Sequence, residues 1–192
     1  MSGLEHLGKE IREHLTAVSG LEAALEETFD RVVAACVAAL RGRGKIVLFG
    51  NGGSAADAQH IATELTVRYR NDRPALAAIA LTTDTSALTA IGNDFGFDDL
   101  FARQVEALVG TGDVVIGIST SGRSPNVLKA LDEARARGAV TVGLTGARGE
   151  GMAERADLVL AVPSEVTARI QEMHILVGHT LCGAIESELG FE

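Results

Sequence analysis

Basic residues are in the minority: 17 lysines and arginines stand against 26 aspartates and glutamates, a formal net charge of −9. Binding to a phosphate backbone relies on clustered Lys and Arg, so this balance argues against nucleic acid as the main ligand and leaves room for a local basic pocket. Cysteine is scarce as well. Cys36 and Cys182 have no short spacing, and each lies in an apolar, helix-like stretch. That pattern suits buried, reduced thiols in a reducing compartment better than a disulfide framework. No apolar run approaches the roughly 20 residues needed to cross a bilayer. The opening MSGLEHLGKEIREHL is charged throughout and has no apolar h-region of a signal peptide. A cytoplasmic protein without a membrane partner is expected. Low-complexity tracts and a Pro/Gly/Ser linker are missing too, so 192 residues with 46% hydrophobic content read as a single domain, 1–192, with a sizeable core.

Leu4, Leu7, Ile11 and Leu15 recur at helical spacing among Glu and Lys. A second helix is expected after Ser19-Gly20, through Leu25, Phe29, Val33, Cys36 and Leu40. It ends at Arg41-Gly42, a basic last turn followed by the glycine that helix ends favour. Two amphipathic helices are more than a sheet needs for its own cover. Their spare apolar surface predicts that residues 1–43 pair between subunits, although packing within one chain would leave the same pattern. From Lys45 onward, apolar runs alternate with helical stretches: Ile46–Phe49, Ala78–Leu81, Val114–Ile118, Val140–Leu144 and Leu158–Val162. Continuous apolar strands separated by helices predict a three-layer α/β fold, a five-stranded parallel doubly wound sheet with an N-terminal helical extension. A last helix over about Val166 to Leu189 closes the chain. Ligands of such sheets bind beyond the carboxyl ends of the strands, where the topology switches. The loops of interest are therefore Gly50–Ser54, Thr82–Asp84, Ser119–Ser124 and Thr145–Gly146.

Gly50-x-Gly52-x-x-Ala55 opens like a dinucleotide fingerprint, but that fingerprint wants an acidic residue about 20 positions on at the end of the next strand, and the next apolar run ends at Leu81 without one. The first acid after the next apolar run is Asp84, too far along. Ser54-Ala-Ala-Asp57 has the form of a capping box, which predicts a helix starting at Ser54. On that helix Ala58, Ile61, Ala62 and Leu65 share one stripe, while Asp57, His60, Glu64 and Arg68 share another beginning beside the glycines. A solvated face with an i,i+4 His–Glu pair would look the same. The hydroxyl-rich stretch Ile118-Ser-Thr-Ser-Gly-Arg-Ser-Pro-Asn126 sits between a strand and a helix. Ser124 suits the N-cap and Pro125 the first helical position. Helix N–H groups with Ser119, Thr120, Ser121 and Ser124 favour an anion, and the missing P-loop lysine favours a phosphomonoester over a triphosphate.

In the closing helix Ile170, Met173, Val177, Leu181 and Ala184 form the apolar stripe, with Gln171, His174 and His179 off it. A packing or hydrogen-bonding role suits His174. Gln171 and His179 are eight residues apart, about 12 Å along a helix axis. Serving one site would require a sharp bend of both side chains or contributions from different subunits.

GNGGSAADAQH, IGNDFGF, GISTSGRSPNVLKA and RIQEMHILVGH, in this order, resemble the phosphoheptose isomerases of the sugar-isomerase (SIS) superfamily over nearly the whole chain. The resemblance implies an SIS-domain homotetramer with sites at subunit contacts. It further implies a cytoplasmic enzyme converting sedoheptulose 7-phosphate to D-glycero-D-manno-heptose 7-phosphate for surface polysaccharide. It implies that Asn51, Gly52, Gly53, Asn93, Asp94, Ser119, Thr120, Ser121, Ser124 and Gln171 bind substrate and that Glu64 and His179 transfer protons. It also implies a zinc site of His60, Glu64, Gln171 and His179, with no nucleotide cofactor. Ala168 departs from the acidic residue of some relatives, and Thr63 from a glutamate. The reaction moves a carbonyl from C2 to C1 through an enediol(ate), work suited to a partly buried carboxylate. The competing expectations are a non-catalytic SIS protein bound to a replication initiator, a sugar-phosphate sensor, and an isomerase of another ketose phosphate. Retention of both Glu64 and His179 favours the enzyme.

Overall fold

The computed structural model describes residues 2–191. Helices α1 (Gly3–Leu25) and α2 (Phe29–Arg41) precede β1 (Ile46–Gly50), α3 (Gly53–Thr66), β2 (Ala78–Ala80) and α4 (Thr85–Asp94). After a 3₁₀ turn at Phe97–Asp99 come α5 (Ala102–Leu108), β3 (Val114–Ser119), α6 (Pro125–Ala136) and β4 (Val140–Thr145). The chain closes with α7 (Glu150–Ala153), β5 (Leu158–Ala161) and α8 (Thr167–Glu188). The strands form one sheet in the order β2-β1-β3-β4-β5, every neighbouring pair parallel. The expected three-layer fold is present, each strand within a residue or two of its apolar run.

Side chains alternate across a strand, and here both faces are covered. Ile46 and Leu48 of β1 enter one core with Ile116, Ile118 and the apolar faces of α1, α2, α3 and α8. Val47 and Phe49 enter the other with Val115 and residues of α5, α6 and α7. Phe49 stacks on Phe101 with ring centroids 5.1 Å apart. Burying a side chain of that size contributes roughly 1.5–3 kcal/mol. Cys36 and Cys182 are free and share the first core. Burial pushes both thiols up to about 12.

The strand order reverses between β1 and β3. From β1 the chain crosses to β2 on one side, then returns to β3 on the other. Loops leaving the carboxyl ends of these two strands therefore border a common crevice.

Two expectations about the helices need correction. No break occurs at Ser19-Gly20, where α1 continues to Leu25 and the interruption falls at residues 26–28. Gly20 lies against Pro163, whose Cγ would be 3.3 Å from an added Cβ, so the glycine serves a close packing and not a stop. The polar stripe of α3 stops before Arg68, because the helix ends at Thr66. His174, off the stripe formed by Ile170, Met173 and Val177, is fully buried and bonds the Thr145 carbonyl, in line with the packing or hydrogen-bonding role expected of it. Among the described residues, α1 and the region of α4 leave apolar surface uncovered. Leu4 is 79% exposed, and Leu7, Ile11 and Leu15 join it along α1. No residue of α4 is buried, and Phe95 and Phe97 just beyond it are exposed as well.

Candidate active site

Two loops meet at the reversal. Gly50, at the end of β1, pairs with Ile118 of β3. A Cβ on Gly50 would lie 2.8 Å from the Ile118 carbonyl oxygen, so only glycine permits this approach. Gly52 follows with φ 56°, the left-handed region, at the N-cap of α3. The expected capping box is absent: α3 starts at Gly53, Ser54 is buried, and no side chain caps the helix. A glycine in this conformation turns the chain directly into the helix and removes the need for a hydroxyl cap. Asp57 Oδ2 is buried without a partner. Burial, opposed by the charge of nearby His60, raises the Asp57 carboxyl above its usual range.

On the β3 side, Ser124 occupies the N-cap of α6 with Pro125 following, as expected, but its hydroxyl does not cap the helix. Ser124 Oγ instead lies 2.9 Å from Ser119 Oγ, which is 3.5 Å from Ser121 Oγ. Ser121 Oγ also accepts a bond from the Arg123 N–H at 3.3 Å. Three hydroxyls thus gather at the positive end of the α6 dipole, a place suited to phosphate oxygens. Asn51 and Asn126 join the two loops through reciprocal amide bonds of 2.9 Å. A cavity of about 180 Å³ adjoins the hydroxyls, lined among others by Thr120, Ser121, Arg123, Arg148 and Thr167. Arg148 is ion-paired with Glu165 at its edge. The turn after β4 is braced from behind. His174 Nε2 donates to the Thr145 carbonyl at 3.1 Å, and Gly146 N–H donates to the Thr120 carbonyl at 3.2 Å.

Helices α3 and α8 lie side by side and run in the same direction. Gln171 packs on Gly53, Gly178 on Ile61, and Cys182 Sγ reaches the Ile61 carbonyl. This register brings His179 to His60, Nε2 to Nε2 at 2.8 Å, and His60 Nε2 to Glu64 Oε1 at 3.4 Å. One ligand atom from each of His60, Glu64 and His179 lies within 4.8 Å of the others. Zinc bonds of about 2.0–2.1 Å in tetrahedral geometry separate two nitrogens by about 3.3 Å. Two imidazoles and a carboxylate at these spacings fit zinc. Gln171 stands apart: it abuts Gly53, seven residues and about 10 Å along α3 from His60. Asn93 and Asp94 sit at the exposed end of α4, where Asn93 Nδ2 donates to Asp94 Oδ1 at 2.7 Å.

Sequence reasoning missed Asn126, the partner of Asn51, and Tyr69, whose ring stacks on His179 at 5.5 Å between centroids with planes 19° apart. Tyr69 carries the chain's sole phenol and follows the polar helix by three residues, a signal available in the sequence. Asn126 had none, since an amide early in a helix is ordinary.

The fold and this constellation define a sugar-isomerase domain, and the SIS domain family matches residues 9–146. A phosphoheptose isomerase of Paramagnetospirillum magneticum is 58% identical over 181 residues, 94% of this chain and of that one. The structure of a phosphoheptose isomerase from Neisseria gonorrhoeae superposes with a TM-score of 0.91 at 46% identity, covering 97% of this chain and 100% of that one. One from Francisella tularensis gives a TM-score of 0.94 at 36% identity with the same coverage. The chain belongs to the phosphoheptose isomerase family.

Proposed function

We propose that the chain interconverts sedoheptulose 7-phosphate and D-glycero-D-manno-heptose 7-phosphate, in heptose precursor biosynthesis. The observation that carries this reading is the meeting of Glu64 of α3 and His179 of α8, with ligand atoms within 4.8 Å of each other and of His60. Ser119, Thr120, Ser121 and Ser124 hold the phosphate at the start of α6. Asn51, Gly52, Gly53 and Gln171 line the sugar, with Asn93 and Asp94 reaching it from α4. Glu64 takes the proton from C1 and returns it at C2, while His179 moves a proton at the oxygens or assists ring opening. His60, Glu64, Gln171 and His179 would hold zinc, whose Lewis acidity favours negative charge on the enediolate oxygens.

The assembly follows from the uncovered surfaces. The exposed stripe Leu4, Leu7, Ile11 and Leu15 supports pairing of the 1–43 helices between copies in a homotetramer. The separation of Gln171 from the other three ligand residues supports sites completed at subunit contacts. No helix among the described residues is long and apolar enough to cross a membrane, and the reduced, buried cysteines support a cytoplasmic location. A non-catalytic role bound to a replication initiator is not favoured by relatives of this identity. Incubation with sedoheptulose 7-phosphate, followed by NMR with and without a chelator, tests the reading. Appearance of the aldose phosphate is expected, and its absence from metal-replete protein overturns the assignment. Loss of turnover on chelation separates a catalytic zinc from a dispensable one.

A further inference from the structure

Behind Glu64 and His179 lies a buried polar cluster that the reaction above does not use. Arg73, between α3 and β2, and Glu186, in the last turn of α8, have side chains 0% and 1% exposed and pair Nε to Oε1 at 2.7 Å. The remaining Arg73 donors go to backbone oxygens: Nη2 to Glu64 at 2.9 Å, and Nη1 to Leu65 at 2.8 Å and Pro74 at 3.0 Å. Glu186 accepts the N–H groups of Tyr69, Arg70 and Asn71 at 3.1, 3.3 and 3.4 Å. A buried ion pair is weak evidence for stability by itself, since desolvation offsets much of its attraction. The destinations of the bonds are more telling. Arg73 satisfies carbonyls at the end of α3, including that of Glu64, and Glu186 fixes the turn that carries Tyr69.

Tyr69 in turn restrains His179. Its ring covers one face of the imidazole while His60, its plane tilted by 70°, engages Nε2. The tyrosine ring also rests on Gly183, one turn beyond His179 on α8, where an added Cβ would lie 3.2 Å from Cε1, and the Arg70 guanidinium lies 5.1 Å from the ring centroid. The phenol is therefore held on several sides and can limit rotation of His179.

We propose that Tyr69 is a positioning residue for His179, and that the Arg73–Glu186 pair fixes Tyr69 and the end of α3 so that Glu64 and His179 keep their separation. The inference rests on the reading of Glu64 and His179 as the reacting pair. Small misplacements of reacting groups lower turnover more than binding.

The test compares wild type, Tyr69→Leu and Tyr69→Phe on sedoheptulose 7-phosphate. Tyr69→Leu should lower kcat about tenfold or more with KM within about threefold, and Tyr69→Phe, which keeps the stacked ring, should restore it. Wild-type kcat in Tyr69→Leu, or equal loss in the two variants, overturns the proposal. With no tryptophan and one tyrosine in the chain, tyrosine emission reports this ring alone. Emission should change in His179→Ala, and an unchanged spectrum also overturns the stacking. Glu186→Gln tests the brace: kcat should fall at unchanged KM with altered emission, and wild-type values of both remove it from the proposal. Should that variant fail to fold, Arg73→Lys, which keeps the charge and loses the bonds to α3, gives the same reading. Glu64→Gln separates the two levels. Full activity there overturns the reacting pair itself, whereas an inactive Glu64→Gln beside a fully active Tyr69→Leu overturns only the positioning role.

Discussion

Acid should weaken this fold through one imidazole. His174 is fully buried, its Nε2 donates to the Thr145 carbonyl, and its Nδ1 is enclosed without a partner. Protonation would place a charged N–H at Nδ1 with nothing to accept it. Burial accordingly pushes the pKa down from 6.5 to about 4, against a small opposing effect of the Thr145 bond. A histidine held neutral in the folded state contributes stability that is fully present above the unfolded value. That contribution is lost as pH falls from about 6.5 toward 4, because only the unfolded chain takes up the proton in this window. At about 1.4 kcal/mol per pH unit, the loss comes to about 3 kcal/mol, a large part of the 5–15 kcal/mol typical of a domain.

The assay is urea unfolding at fixed protein concentration between pH 7 and pH 4, on wild type and His174→Gln. The glutamine amide can donate to Thr145 from nearly the same place but does not titrate. Asp113, Asp157 and Glu186 also lose stabilisation on acidification. Burial alone would raise these carboxyls, but donors from Lys45, Thr141, Tyr69 and Arg73 outweigh it and hold them below their usual range. Their contribution is common to both proteins and cancels in the difference. The stability of wild type relative to the variant should fall by about 3 kcal/mol across the window. Curves that stay parallel from pH 7 to pH 4 would refute the reasoning.

Three further outcomes bear on the site. Glu64→Gln keeps the shape of the base and removes its function, so turnover should fall about 10²–10⁴-fold with substrate binding retained; near-normal rates in a steady-state assay would dismiss the role. Ser121→Ala and Ser124→Ala should raise KM and leave kcat close to wild type, and the reverse pattern would mean that the hydroxyl loop does not hold the phosphate. Gly53→Ala should leave the melting temperature nearly unchanged, because alanine suits a first helical turn and the displaced group is the flexible end of Gln171. The same methyl group should raise KM by displacing that amide, and an unaltered KM would take Gln171 out of the substrate site.

The strands were legible because their signal is global. An all-parallel sheet covered on both faces demands unbroken apolar runs, and β1 with IVLF and β3 with VVIGI supply them. Helix ends were less legible because local chemistry competes there with tertiary contact. Ser19-Gly20 has the composition of a stop, yet Pro163 fills the space that Gly20 leaves open and the helix continues. Ser54 and Ser124 both look like caps. The left-handed Gly52 displaces the first, and the second turns its hydroxyl to Ser119. In each case the sequence shows a residue able to perform a local task, and the fold assigns it another.

The site divides along the same line. His60 and Glu64 announce themselves by i,i+4 spacing, which local geometry guarantees. The arrival of His179 is a different matter, since His174 lies five residues earlier on the same helix, rotated by roughly 140°. Nothing local tells these imidazoles apart. The register of α8 against α3 does, and small residues set it. A side chain at Gly178 would strike Ile61. Gly53 leaves room for Gln171 one end along, and Glu186 locks the far end to Arg73. With α8 seated this way, His174 points into the protein at Thr145 and His179 meets His60. A slip of one turn would carry His179 away from His60 and bring a residue larger than Gly178 against Ile61. The chemistry thus depends on packing that places no acid, base or ligand of its own, and that packing is the part of the site least visible in a single sequence.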